Sequence, residues 1–216
     1  MSPSTDDLLK AIFLAELRGT RISASELARH LGISPPGITQ MANRLQEDGL
    51  VEYRPYQPMT LTREGRELAA GIIRKHRLWE MFLHKALKMG WNEVHREAEM
   101  LEHQTSETLA DRIDEFLGHP AFDPHGQPIP DKQGRVRTRK DILALSEAEP
   151  GNSYTVVGVT DKSDELMDFF TDIGLTLKSR IAVTGKISMD ESVIISVKNN
   201  RTILSKTVAE HIYIQK

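Results

Sequence analysis

Along the first seventy positions, apolar residues recur at helical intervals that are broken by turn-forming residues. Leu8, Leu9, Ile12, Phe13, Leu14 and Leu17 mark a first helix over residues 5–17, with Ser4 or Thr5 as its N-cap. A short helix over residues 25–31 is stopped by Gly32, and Ile33 fills the turn. A second helix then opens at Ser34, with Pro35 and Pro36 in its first turn, where missing N–H groups cost little. This is the punctuation of a helix-turn-helix. The start of its second helix presents Ser34, Pro36, Gly37, Thr39 and Gln40 as candidate DNA contacts, the small polar residues and Gln being able to reach base edges and phosphates in a major groove. After Gly49 two short alternating segments flank residues 55–58 and predict a hairpin wing, with Arg54, Tyr56 and Gln57 at its tip for backbone or minor-groove contacts.

The pattern then lengthens. Thr62 caps a helix running to about Lys88, Trp91 opens another, and a third ends at Gly118. Residues 119–139 are crowded with Pro and Gly and predict a loop, followed by a helical turn over residues 140–145. From residue 150 the texture becomes short β-rich runs with one helix, over the segment DELMDFFTDIG, which suggests a small SH3-like barrel. The expected fold is therefore mainly α with small β parts. A winged helix-turn-helix covers residues 1–62, a helical metal-binding and dimerisation domain 63–140, and an SH3-like β-barrel 141–216.

Polar positions on the two central helices carry the candidate chemistry. His76, Glu80 and His84 fall at i, i+4 and i+8 on one; His95, Glu99, Glu102 and His103 fall within one arc of the next. Such stripes also occur as solvated faces. Two matching stripes on helices that also have an apolar side favour a shared divalent cation, because clustered acids otherwise repel one another and are costly to hold away from water. Asp123 and His125 stand out in the loop, flanking the stiff Pro124, either as ligands or as plain loop polar groups. Asp6 and Asp7 have an obvious structural role at the positive end of the first helix dipole.

Composition narrows the chemistry. The 216 residues contain no cysteine, which excludes disulfides and cysteine-based zinc sites, so a metal must be held mainly by oxygen and nitrogen. The formal charge of -3 is not that of an obvious nucleic-acid binder, but residues 1–140 carry 20 basic against 20 acidic side chains, so acidic ligands can mask a basic surface. No run is long and apolar enough for a membrane span, and no signal-peptide pattern opens the chain, so a cytoplasmic protein is expected. Neither the His-Glu-x-x-His motif of zinc proteases nor the paired Glu-x-x-His motifs of di-iron bundles occurs, and no enzyme is expected.

The winged helix-turn-helix, the runs RKHRLWE and EVHREAEMLEH, the FDPHGQPIP loop and the SH3-like tail together resemble the diphtheria-toxin-repressor-like family of metal-dependent transcriptional repressors, and more closely its manganese-responsive members. The resemblance implies a homodimer that binds palindromic operator DNA when loaded with Mn(II), or alternatively Fe(II), and represses metal-uptake genes. It further implies a primary site of Asp7, Glu99, Glu102 and His103, with His76 between this site and an ancillary one of Glu80, His95, Asp123 and His125. Two departures matter. Lys10 stands where some manganese-responsive members have a second carboxylate, and Asp123 stands where close relatives have cysteine. Among possible further acids from the C-terminal domain, Asp161, Asp164 and Glu165 are candidates. The carboxylate and imidazole set suits Mn(II), although Irving-Williams ordering lets other divalent transition metals bind in vitro. The alternative function is a metal-independent winged-helix regulator responding to a small organic ligand.

Overall fold

A computed structural model describes residues 3–55, 57–160, 163–198 and 200–216. The chain divides into two compact units. One comprises Met1–His76, Glu102–Thr105 and Pro130–Val136; the other comprises Arg77–Leu101, Ser106–Ile129 and Arg137–Lys216.

In the first unit α1 (Pro3–Leu17), α2 (Ala24–Leu31) and α3 (Pro35–Glu47) are followed by strands β1 (Val51–Glu52) and β2 (Thr60–Leu61) and the start of α4 (Arg63–Leu87). Local chemistry sets these boundaries. Ser23 and Glu26 form a reciprocal capping box at the start of α2, and the Ser23 hydroxyl holds the Glu26 carboxyl below the usual carboxylate range. Gly32 ends α2 in the left-handed conformation, and Ser34 caps α3 by accepting from the Gly37 N–H at 3.3 Å. β1 and β2 pair antiparallel, Val51 opposite Leu61, as the two-residue base of the wing. Leu8, Ile12, Phe13, Leu27, Ile38 and Leu45 are buried together beneath them. Each such side chain contributes roughly 1.5–3 kcal/mol by leaving water. Glu16 on α1 fastens the wing, accepting from the Leu61 N–H at 3.1 Å and pairing with Arg66 at 2.5 Å. At Gly65 a Cβ would run into the Leu50 carbonyl, so glycine is required where the first turn of α4 meets the wing strand.

The second unit contains the rest of α4, most of α5 (Trp91–Glu102), α6 (Glu107–Leu117) and a six-stranded antiparallel sheet of SH3-like type, order β3-β8-β4-β5-β6-β7. Its strands are β3 (Leu143–Ala144), β4 (Ser153–Val159), β5 (Arg180–Ile187), β6 (Ser192–Val197), β7 (Asn200–Leu204) and β8 (Ile212–Gln215). Helices α7 (Asp164–Asp172) and α8 (Lys206–Ala209) connect them. Phe170, Leu145, Val156, Ile181, Ile195 and Ile214 are buried in its core. The expected helical turn over residues 140–145 is not formed. Leu143 and Ala144 pair as strand β3 with Ile214 and Tyr213, and only a 3-10 turn, Leu145–Glu147, follows. A non-local ladder overrides local helical preference here.

The Pro/Gly-rich loop is pinned onto this sheet. Val159 donates its N–H to the His125 carbonyl at 2.8 Å, and a Cβ at Gly126, where φ is 84°, would strike the Val157 carbonyl. Arg139 lies over the Phe122 ring, 3.7 Å from its centroid, and donates to the Val157 carbonyl. Burial pulls its guanidinium below the usual arginine range, with Asp123 opposing that shift.

Candidate metal centres and DNA-facing surface

Each unit contains within itself one group of acids and imidazoles whose ligand atoms converge. In the first, α1 supplies Asp7 while the end of α5 and the residue after it supply Glu102 and His103. One ligand atom from each lies within 4.8 Å of the others. Glu102 is fully buried, with Oε2 2.6 Å from His76 Nδ1 and Oε1 2.7 Å from Lys10 Nζ. His103 is oriented by Asp6, for which the sequence alone suggests only a helix-dipole role. Its Nδ1 lies 3.0 Å from Asp6 Oδ2, while Nε2 is 3.5 Å from Glu102 Oε1 and 3.9 Å from Asp7 Oδ1. Donation of Nδ1–H to Asp6 fixes the tautomer in which Nε2 carries the lone pair toward the other two acids. The signal available in the sequence was spacing: Asp6 is the neighbour of Asp7 in the same first turn, and Lys10 lies one turn further on. Glu99 is half-buried on α5, one turn ahead of Glu102 and His103.

In the second group Glu80, Asp123 and His125 are all buried and offer ligand atoms within 4.8 Å of one another. Glu80 Oε1 is 3.2 Å from His95 Nδ1 and 3.5 Å from His125 Nδ1. His125 Nε2 lies 3.3 Å from the Trp91 carbonyl, an orientation that turns Nδ1 toward Glu80. Asp123 is held from several sides. Its Oδ1 accepts from the N–H groups of His125 (2.8 Å) and Gln127 (2.9 Å), and Oδ2 stands 3.5 Å from Arg77 Nε. Arg77 also donates to the Pro128 carbonyl and to Gln127 Oε1 at 2.7 Å. His84, which ends the stripe on α4, is not part of this group. Its ring faces the Met89 carbonyl at 3.0 Å, just past the C-terminal end of α4.

Both groups fit a divalent cation by donor chemistry. Each gathers carboxylate oxygen and imidazole nitrogen, and buried carboxylates brought together require a positive partner.

At the helix-turn-helix Ser34, Pro36, Thr39 and Gln40 are exposed at the start of α3. Gly37 is half-buried; a Cβ there would lie 2.8 Å from the Ile33 side chain, so this glycine serves the turn. Asn43 and Arg44, one turn further along α3, are exposed as well, and sequence reasoning passed over them. Arg54 and Gln57 of the wing are exposed, while Tyr56 lies outside the described residues. So does Asp161, and the side chain of Asp164 likewise; Glu165 is exposed on α7.

Three family models match the chain in order. They are the N-terminal DNA-binding domain of iron-dependent repressors over residues 1–59, the metal-binding and dimerisation domain of the same repressors over 62–131, and the FeoA domain over 143–216. The iron-dependent repressor IdeR of Mycobacterium tuberculosis is 30% identical over 194 residues, 83% of each chain. The chain belongs to the iron-dependent repressor family. This family comprises metal-dependent, DNA-binding regulators rather than enzymes. Among other relatives, the diphtheria toxin repressor of Corynebacterium diphtheriae is 33% identical over 127 residues, 59% of this chain and 56% of its own. Two solved structures share the full arrangement. A manganese-dependent transcriptional repressor in complex with manganese has a TM-score of 0.90 at 33% identity, covering 98% of this chain and 99% of that one. The manganese regulator SloR has a TM-score of 0.83 at 29% identity, covering both chains completely. Among the described residues of this repressor, no helix is long and apolar enough to cross a membrane.

Proposed function

We propose that this repressor senses Mn(II), with Fe(II) as the alternative ion, and as a homodimer binds palindromic operators of metal-uptake genes in the cytoplasm. The observation that carries this reading is the convergence of Asp7 from α1 with Glu102 and His103 from the end of α5, all oxygen and nitrogen donors. Glu99 and His76 complete the primary set in this proposal, and Glu80, His95, Asp123 and His125 form the ancillary one. The donor set contains no sulfur and therefore suits Mn(II). Similarity to a repressor solved with manganese supports the same ion.

A bound divalent ion supplies positive charge that neutralises the clustered acids. Asp7 lies on the helix that packs beneath the helix-turn-helix, so drawing its carboxylate toward Glu102 and His103 ties α1 to the end of α5 and steadies the α3 reading head. Ser34, Pro36, Gly37, Thr39 and Gln40 on α3 are proposed to face bases and phosphates, with Arg54 on the flanking backbone. Exposed Met100, Leu109 and Phe116 support pairing of two chains through the α5 and α6 region. In this division residues 1–62 read DNA, 63–140 bind metal and dimerise, and 141–216 form the SH3-like domain.

Fluorescence anisotropy with a labelled operator tests the reading. Mn(II) is expected to tighten binding by tenfold or more, within the coupling of about 1–3 kcal/mol usual for linked sites, and chelation should reverse it. Equal affinity with metal and with chelator would leave a regulator responding to something else.

A further inference from the structure

Glu102 is a fully buried carboxylate, and Lys10 is the ammonium that meets it. Lys10 Nζ lies 2.7 Å from Oε1, while the opposite oxygen, Oε2, faces His76 Nδ1 at 2.6 Å. Oε1 is also the oxygen that turns toward His103 Nε2, at 3.5 Å. The ammonium therefore stands on the side of Glu102 that the Asp7, Glu102 and His103 group shares. A single carboxylate oxygen cannot serve an ammonium and a divalent cation closely at once without bringing two positive charges together in a poorly solvated place. The Lys10 side chain is 12% exposed, so its head has a route to water on a flexible four-carbon stem, whereas Glu102 has none.

We propose that Lys10 is the resident counter-cation of Glu102 in the metal-free protein, and that it must release Oε1 before the carboxylate can be offered to a divalent ion. Lys10 thereby sets the metal concentration at which the site fills. The inference rests on the proposed metal site and adds to it a residue that opposes filling. It also accounts for how a buried acid is tolerated when no metal is present: the pair stabilises the empty state, and that stabilisation is surrendered on loading.

The test uses the full-length chain, Mn(II) titrated calorimetrically, and thermal melting in EDTA. Lys10→Gln is expected to bind Mn(II) at the Asp7-dependent site at least tenfold more tightly than wild type, and to melt several degrees lower in EDTA, with the gap closing in saturating Mn(II). Lys10→Arg, which keeps the charge, is expected to stay within threefold of wild type and provides the comparison if metal-free Lys10→Gln proves too unstable to titrate. Wild-type affinity in Lys10→Gln, or tenfold tightening in Lys10→Arg, overturns the inference. An Asp7-dependent site whose affinity ignores Lys10 overturns this inference alone, whereas a wild-type chain that takes up no Mn(II) overturns it together with the metal-site reading.

Discussion

The two acid and imidazole groups differ in how they are built. Glu80, Asp123 and His125 are buried and locked: the loop is stitched to β4, Asp123 accepts two backbone N–H groups, and Arg77 faces its second oxygen. Asp7, Glu102 and His103 come from segments almost a hundred residues apart, and Asp7 is one-third exposed. The first group is therefore expected to change little when a cation arrives. The second is held by ion pairs, Lys10 with Glu102 and Asp6 with His103, and on the proposed reading it is the one that responds to metal. Both groups offer carboxylate and imidazole, so on the proposed reading any difference in their response to metal comes from the side chains that support them.

The largest expected effect is structural. Arg77→Ala removes the guanidinium from a buried network, taking a cation from beside Asp123 and the donors from Gln127 and the Pro128 carbonyl, at a cost of about 3–5 kcal/mol. Thermal melting should fall in EDTA and in Mn(II) alike; an unchanged melting curve would mean that the locked group is not locked. Asp7→Ala should do the reverse. Its cost in metal-free stability is expected to stay below about 1 kcal/mol, the scale of one acid at a helix N-terminus, while the Mn(II)-dependent gain in operator affinity disappears. A variant that kept that gain would move the responsive role elsewhere.

Smaller effects separate metal response from DNA reading. Gln40→Ala is expected to lose about 1–3 kcal/mol at one operator position, equally with and without metal, as measured by binding to single-base operator variants. Arg54→Ala should weaken binding uniformly across sequences and reduce the slope of log affinity against log salt by about 1. If either substitution abolished the Mn(II) dependence itself, the separation between sensing and reading would be wrong.

The helix-turn-helix was legible because its stops are local. Ser23 with Glu26, Gly32, and Ser34 ahead of two prolines each act within four residues, where sequence spacing is geometry. The acid and imidazole stripes on α4 and α5 were legible as a spacing for the same reason. What escaped depends on distant partners. The segment KDILAL reads as a helical turn until β8, some seventy residues later, pairs with Leu143 and Ala144. His84 keeps the period of the α4 stripe but sits at its end, where the Met89 carbonyl claims the ring. Asp6 looks like an ordinary first-turn acid, and only the fold shows that it turns His103. Lys10 could be noted as an unusual residue from the sequence, but its engagement of Glu102 spans 92 positions and required the structure.

Everything in this account turns on whether acids and imidazoles from α1 and the end of α5 hold a metal ion. The most direct measurement is an anomalous difference map collected at the manganese edge from crystals grown with Mn(II). The account predicts a peak in coordinating contact with Asp7, Glu102 and His103, with Lys10 Nζ withdrawn from Glu102. A fully occupied peak at Glu80 and His125, with Asp7 and Glu102 carrying none at saturating Mn(II), would contradict it.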